Sequence, residues 1–320
     1  MSREYVFGPV ASRRLGISLG VDLVTAKTCS HECIYCEAGK TDNLTTERRE
    51  YVPVEEVNAQ LAKVFERHPE LDYITFSGAG EPTLNSRIGD VIAYIKQHSN
   101  YRICLLTNGT MLGDSELCRQ LDQVDLVIPS LDASNEEEFK AVNRPPETLQ
   151  YDCFLKNLIH FTQTTHARVI LELFVAPGYN DSEASAHRFA EIIRQLKVEK
   201  VQLNTLDRPG VVKDLKPASA ATLALFLEIL NPIVAVEPVG AFQYHLNSLR
   251  SVGDCRDLRR KIMDLASRRP VTLPDLTVAL GAKEQDIQHA LIHLADIGQI
   301  HKEVQERGVF YTAIPNEMRV

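Results

Sequence analysis

The chain has 320 residues, is 44% hydrophobic, and carries 35 Lys and Arg against 43 Asp and Glu, a formal net charge of −8. That length and apolar content can bury a sizeable core, in one large domain or a large one with a small companion, which excludes a peptide hormone or a disordered tail. The acidic balance excludes a protein whose whole surface embraces nucleic acid, because phosphate binding needs concentrated Lys and Arg.

The first residues, MSREYVFGPVASRRLG, include arginines but no apolar segment behind them. No later window reaches the eighteen or so uninterrupted apolar residues of a membrane span. The expectation is a cytoplasmic protein without membrane contact. Seven cysteines are too few and too scattered for a disulfide framework, yet three of them fall within eight positions, 29 to 36. That distribution points to a reducing compartment and a metal site.

Beyond those cysteines the chain repeats one pattern: an amphipathic helical stretch, a short apolar run, then a loop rich in Gly, Asn, Asp or Pro. Pro53 with Val57, Leu61, Val64 and Phe65 predicts a helix, followed by a strand Tyr73–Phe76 that ends in SGAGEP. A helix over 88–98 leads into the strand 103–106 and TNGT; a helix over 115–121 leads into the strand 126–129 and SLDAS. A helix over 153–164 precedes the strand 167–175 and APGYND, and one over 185–196 precedes the strand 200–203 and NTLDRPG. A sixth, weaker unit pairs a helix over 218–230 with a strand over 234–236.

Alternating helices and near-continuous apolar strands imply parallel strands joined by right-handed crossovers. The fold class is α/β: a partial (β/α)6 TIM-like barrel whose loops at the strand C-termini build the site. With six or so units rather than eight the barrel would be open, leaving a wide mouth. After residue 254 the pattern changes to three short helices and a hairpin turning near Arg307 and Gly308, the order of a small C-terminal winged-helix domain. The boundary is set near residues 246–253, giving a barrel over 1–248 and the small domain over 254–320.

The segment TCSHECIYCEAG spaces its thiols as Cys29-x3-Cys33-x2-Cys36, so one loop can wrap three corners of a cubane. Thiolates are soft ligands suited to iron–sulfur clusters, whereas structural zinc needs four closed ligands. His31 is the local candidate for a fourth zinc ligand, and a zinc knuckle is the alternative reading. Three thiolates leave one iron of a cubane open. Cys104, Cys118, Cys153 and Cys255 stand singly and form no second cluster motif; they read as small buried hydrophobes.

The triad, with the aromatic Tyr35 just before its last cysteine, resembles the signature of the radical S-adenosylmethionine superfamily. The resemblance implies a [4Fe-4S] cluster and S-adenosyl-L-methionine as cofactors, with metal ligands Cys29, Cys33 and Cys36. It also implies reductive cleavage to a 5′-deoxyadenosyl radical that abstracts a substrate hydrogen, and an electron donor such as flavodoxin or ferredoxin. Tyr35 would pack near the adenine. The SGAGEP loop stands where the family places a GGEP motif, so Gly78, Gly80 and Glu81 are candidate cofactor-binding residues, Glu81 equally as a structural cap.

Thr107 and Asn108, then Ser130 and Asp132, match positions that contact the carboxylate and ribose in resembling enzymes. Asn180 is assigned to the ribose, Asn204 to the substrate or carboxylate, and Arg208 to an anion clamp by its forked guanidinium. Upstream, GPVASRRLGISLGVDL resembles a subgroup related to wyosine-base formation on transfer RNA, which would put Ser12, Arg13, Arg14 and Gly16 at the barrel mouth. The scattered single cysteines depart from the wyosine enzymes.

In the C-terminal segment, the third helix offers Glu284, Asp286 and Asp296 against Lys283, unlike a helix that reads DNA. Basic residues gather on the first, at Arg256, Arg259, Arg260, Lys261, Arg268 and Arg269. Three functions therefore compete: a radical enzyme acting on RNA or peptide, a radical enzyme on a small metabolite whose winged helix serves dimerisation, and a non-enzymatic iron–sulfur redox regulator. The regulator needs neither the GAGEP nor the TNGT loop and is the least favoured.

Overall fold

Strands β1 (Val6–Ser12) and β2 (Gly16–Val21) form an antiparallel hairpin at the edge of an eight-stranded sheet, with a register irregularity between Phe7 and Val10. The computed structural model describes residues 4–12, 14–25, 27–206, 210–239, 255–266, 270–280, 282–305 and 308–314. After β2 come two short paired strands, β3 (Thr28–Cys29) and β4 (Asn43–Leu44), and then helix α1 (Val54–Phe65).

The six predicted helix–strand units then follow in order. They are α1 with β5 (Tyr73–Phe76), α2 (Ile88–His98) with β6 (Ile103–Thr107), and α3 (Ser115–Gln120) with β7 (Leu126–Pro129). A short α4 (Glu136–Glu138) runs into a π-helical turn, Phe139–Asn143, before α5 (Tyr151–Thr164) and β8 (Arg168–Phe174). Last come α6 (Glu183–Ile193) with β9 (Lys200–Asn204) and α7 (Ala220–Leu230) with β10 (Val236–Pro238).

The sheet order is β1-β2-β5-β6-β7-β8-β9-β10, and every pairing from β2 to β10 is parallel. This is the partial TIM-like barrel. β2 supplies a parallel strand ahead of the six units, and the hairpin and β10 are its two edges. Strands β5 and β7 are buried along their whole length, as expected of strands covered on both faces. Helix starts are set locally: Asp114 accepts from the amides of Glu116 and Leu117, and Ser182 and Ser219 accept from those of Ser185 and Thr222.

Inward-facing residues of these strands form an apolar plug at the lower end, where Tyr73, Cys104, Leu126, Ile128 and Ile170 cluster with Leu106 and with Leu15 of the hairpin turn. Because side chains alternate between faces, residues two positions on, such as Ser130 and Glu172, also face inward, one level higher.

The chain divides into two compact units, Met1–Gly240 and Ala241–Val320; the predicted boundary residues lie outside the described ones. The second unit contains α8 (Cys255–Ala266), β11 (Val271–Thr272), α9 (Leu273–Leu280), α10 (Glu284–Asp296), β12 (Ile300–Gln305) and β13 (Gly308–Ala313). The strands form a small antiparallel sheet in the order β11-β13-β12. Its core joins Ile262, Leu276, Ile287, Leu291, Leu294 and Ile300. Among the described residues no helix is long and apolar enough to cross a membrane.

Candidate functional site

The cysteine loop leaves the C-terminal end of β2 and is held from both sides. The β3–β4 pair closes its base. The amides of Glu32 and Ile34 donate to the carbonyls of Asn143 and Val142 in the π turn, at 3.0 and 2.9 Å. Ile34 is fully buried, in an apolar cluster with Val142, Phe174, Ala176, Leu206 and Leu215. A π turn widens the helix by one residue, and here it turns Asn143 toward the cysteines.

Cys29, Cys33 and Cys36 are free thiols, each half-buried. The Asn108 amide reaches Cys29 Sγ at 3.6 Å, the Asn143 amide reaches Cys33 Sγ at 3.5 Å, and Lys27 Nζ lies 2.7 Å from Cys36 Sγ. Burial pushes the Cys29 thiol up to about 12, helped by the nearby Glu81 charge. Burial, then the Asp132 charge, lift Cys33 well above the ordinary thiol range. Thiols held this way release their protons when metal arrives.

His31, the alternative fourth ligand for zinc, stands edge-on to Phe139 with ring centroids 5.3 Å apart. Neither ring nitrogen has a hydrogen-bond partner, and burial drives the imidazole down to about 3. Among the described residues no group of three or more His, Cys, Asp or Glu is arranged to hold a metal ion. Three soft sulfur donors on one short loop suit three corners of an iron–sulfur cubane. The donor set fits a [4Fe-4S] cluster.

The SGAGEP loop packs directly on the start of the cysteine loop. Glu81 N donates to the Thr28 carbonyl at 3.1 Å, and a Cβ on Gly80 would lie 1.8 Å from that same oxygen. Only glycine allows this approach. The Glu81 carboxylate is buried and accepts from Thr83 N at 3.1 Å, Thr83 Oγ1 at 2.5 Å, Thr107 Oγ1 at 2.7 Å and Asn108 N at 2.7 Å. Burial raises its pKa even against those four donors. Glu81 is thus the brace between the GAGEP and TNGT loops. Asn108 extends that brace to Ser30 Oγ at 2.9 Å.

Asp132 is a second buried brace. Its Oδ2 accepts from Tyr35 OH at 2.5 Å and Asn143 Nδ2 at 2.9 Å, and its Oδ1 accepts from Phe174 N at 3.2 Å. Burial lifts its carboxyl to about 6. One face of the Tyr35 ring stacks on Phe174 at 3.8 Å. Asn180 is fully buried; its amide donates to the carbonyls of Asp132 and Phe174 and accepts from Ala176 N. Where the sequence assigns Asn180 to a ribose, the structure commits its side chain to shaping the APGYND loop. Gly78 approaches so closely that a Cβ there would fall 2.4 Å from Asp22 Cγ. Ser130 is half-buried at the end of β7, bridged to Glu172. Arg208 and Asp207 lie outside the described residues.

Sequence reasoning missed the polar wall inside the barrel. Glu172 on β8 pairs with Arg14 at 2.6 Å and accepts from Asn204 Nδ2 at 2.8 Å. Burial lowers the Arg14 pKa, but Glu172 outweighs it and the net shift is upward. Gln202, beside Glu172 in the β8–β9 register, is 2% exposed and its Oε1 has no hydrogen-bond partner. The hairpin turn itself is not at the mouth. Ile17 N bonds Asp72 at the N-terminal end of β5, so Ser12 and Gly16 stand at the opposite end; Arg13 is outside the described residues. Arg14 extends inward from that end to Glu172.

A family model described as the Radical SAM superfamily matches residues 23–190. The chain is 31% identical over 305 residues to a protein named GTPase Obg from Brachyspira hyodysenteriae, covering 95% of this chain and 44% of that one. It therefore spans less than half the length of that relative. A UPF0026 protein from Helicobacter pylori (strain ATCC 700392 / 26695) is 32% identical over 307 residues, covering 92% of this chain and 96% of that protein. Among solved structures, a radical SAM methyltransferase from Sphaerobacter thermophilus superposes with a TM-score of 0.58 at 22% identity, over 70% of this chain and 66% of that one.

Proposed function

Because the chain belongs to the radical SAM superfamily and to the UPF0026 family, and is an enzyme whose cofactors are a [4Fe-4S] cluster and S-adenosylmethionine, we propose that Cys29, Cys33 and Cys36 hold the cluster and that the loops after β5, β6 and β7 seat S-adenosylmethionine beside it. The bound pair supplies a one-electron reductive cleavage that releases a 5′-deoxyadenosyl radical. The observation that carries this reading is the convergence of separate motifs: Gly80 and Glu81 lie on Thr28, and Asn108 reaches both Ser30 and Cys29.

The chain's own residues bind, orient and exclude water. Gly78 and Gly80 let the loop pack against Asp22 and Thr28, with Glu81 fixing the two loops against each other. Tyr35 and Asp132 tie the last turn of the cysteine loop to β7 and β8. Ser130, Asn204 and Arg208 are the groups assigned to the carboxylate, ribose or substrate. The substrate sits below, against Glu172, Arg14 and Gln202, above the apolar plug that keeps water from the floor. Its class is RNA, peptide or a small molecule, and a low-potential donor such as flavodoxin or ferredoxin supplies the electron.

Anaerobically reconstituted protein given S-adenosylmethionine and dithionite is expected to form 5′-deoxyadenosine, faster when bulk RNA or peptide contains the substrate. An intact cluster with no 5′-deoxyadenosine under any condition overturns the reading. Cys33→Ala is expected to lose both brown colour and cleavage, and retained cleavage would refute the ligand assignment.

A further inference from the structure

The three candidate ligand sulfurs each face one side-chain N–H donor, and the donors come from three different places in the fold. Asn108, after β6, reaches Cys29; Asn143, at the end of the π turn, reaches Cys33; and Lys27, in the loop ahead of β3, reaches Cys36. Asn143 and Lys27 are buried, at 3% and 6% exposure. Lys27 also donates to the Gly39 carbonyl, so its ammonium is fixed between Cys36 and the turn that follows it.

The charges around the thiols are unequal. Glu81 acts on Cys29 and Asp132 acts on Cys33, both as buried carboxylates. A negative charge near an iron–sulfur cluster opposes adding an electron; a positive charge or an N–H···S bond favours it. Burial strengthens each effect by lowering the local dielectric. Asn108 and Asn143 are neutral donors. Lys27 is the donor that also brings positive charge, and its field extends to Cys29 as well.

We propose that Lys27 sets the reduction potential of the cluster, through its ammonium contact with Cys36, making it a positioning and tuning residue rather than a ligand. The inference rests on the cluster assignment above. In the step concerned, a single electron passes from a low-potential reductant, dithionite in the test, to the oxidised cluster. Lys27 stabilises the added negative charge without itself being oxidised or reduced.

The test compares wild type, Lys27→Met, Lys27→Gln and Lys27→Arg, reconstituted anaerobically without S-adenosylmethionine. Iron and sulfide content is measured first, and a wild-type chain that takes up no cluster sinks the cluster assignment itself. EPR-monitored redox titration then reads the ratio of reduced to oxidised cluster at a fixed potential. Lys27→Met is expected to keep its iron and lower that ratio at least tenfold, about 59 mV for a one-electron couple. Lys27→Arg is expected to stay within threefold of wild type, and Lys27→Gln, a donor without charge, to fall between. An unchanged ratio in Lys27→Met with full iron content overturns the proposal. So does loss of iron from both Lys27→Met and Lys27→Gln, which would make Lys27 an assembly residue.

Discussion

The mouth and the floor of the barrel hold the same chemical group in opposite roles. Burial pushes Cys29 at the mouth and Cys104 at the floor up to about 12 alike. Cys104 sits among Leu15, Tyr73, Leu126, Ile128 and Ile170, whereas Cys29 has the Asn108 amide at 3.6 Å and a glycine loop packed behind its neighbour Thr28. A perturbed thiol is therefore no marker of the site by itself. Directed N–H donors on the sulfur and close backbone approach distinguish the mouth; at the floor the sulfur packs in an apolar cluster beside Thr75, with the Arg14 charge nearby.

That contrast can be broken most severely at Gly80. In Gly80→Ala the new methyl meets the Thr28 carbonyl, and the SGAGEP loop must move away from the cysteine loop. Displacements on the order of an ångström cost about a hundredfold in rate, so 5′-deoxyadenosine formation is expected to fall by about that factor while iron content stays near normal. Equal rates would mean that the loop's position at the mouth is irrelevant.

Glu81→Ala strands four donors in a buried place and is expected to cost about 4 kcal/mol, lowering Tm by roughly 10 °C. Calorimetry of the reconstituted protein checks it. Asp132 tests the mouth by pH. Its folded pKa of about 6 stands above the ordinary 3.8, so its contribution to stability is complete below about 3.8 and is lost as the pH rises through about 6. The loss amounts to at most about 3 kcal/mol at neutral pH. Asp132→Asn is expected to flatten the stability profile between pH 4 and roughly 7, at the expense of one hydrogen bond, and urea titrations across that range would show an unflattened slope if the assignment is wrong.

The smallest effect is expected on the floor. Cys104→Ala removes one buried sulfur and should cost about 1 to 2 kcal/mol by urea unfolding, with cluster and cleavage intact. A loss of iron there would erase the distinction between the two ends.

The barrel strands were legible because each is a short apolar run closed by a turn signal, and β5 and β7 begin and end where the pattern predicts. The N-terminal hairpin was not, since Gly8, Gly16 and Gly20 interrupt it and its apolar residues do not form a run. The candidate cysteines, Gly80 and Asn108 are marked in the sequence by spacing and by their place after strands, and the structure brings them together. Lys27 and Asn143 carry no local signal, because each reaches its sulfur through the fold. Glu172 had one: it is the carboxylate that interrupts the apolar run RVILELF, two positions after Ile170 and so on the same face. Asn180 shows the reverse case, a turn residue in a suggestive place whose amide is taken up by backbone groups of Asp132, Phe174 and Ala176.

Among the described residues the sheet has two outer strands, and each contains a proline, Pro9 in β1 and Pro238 in β10. Proline has no amide hydrogen to offer, and β1 is further broken by its register irregularity. Neither of these strands presents an uninterrupted row of donors to a passing strand, so the partial barrel carries its own protection against growing, edge to edge, into an aggregate.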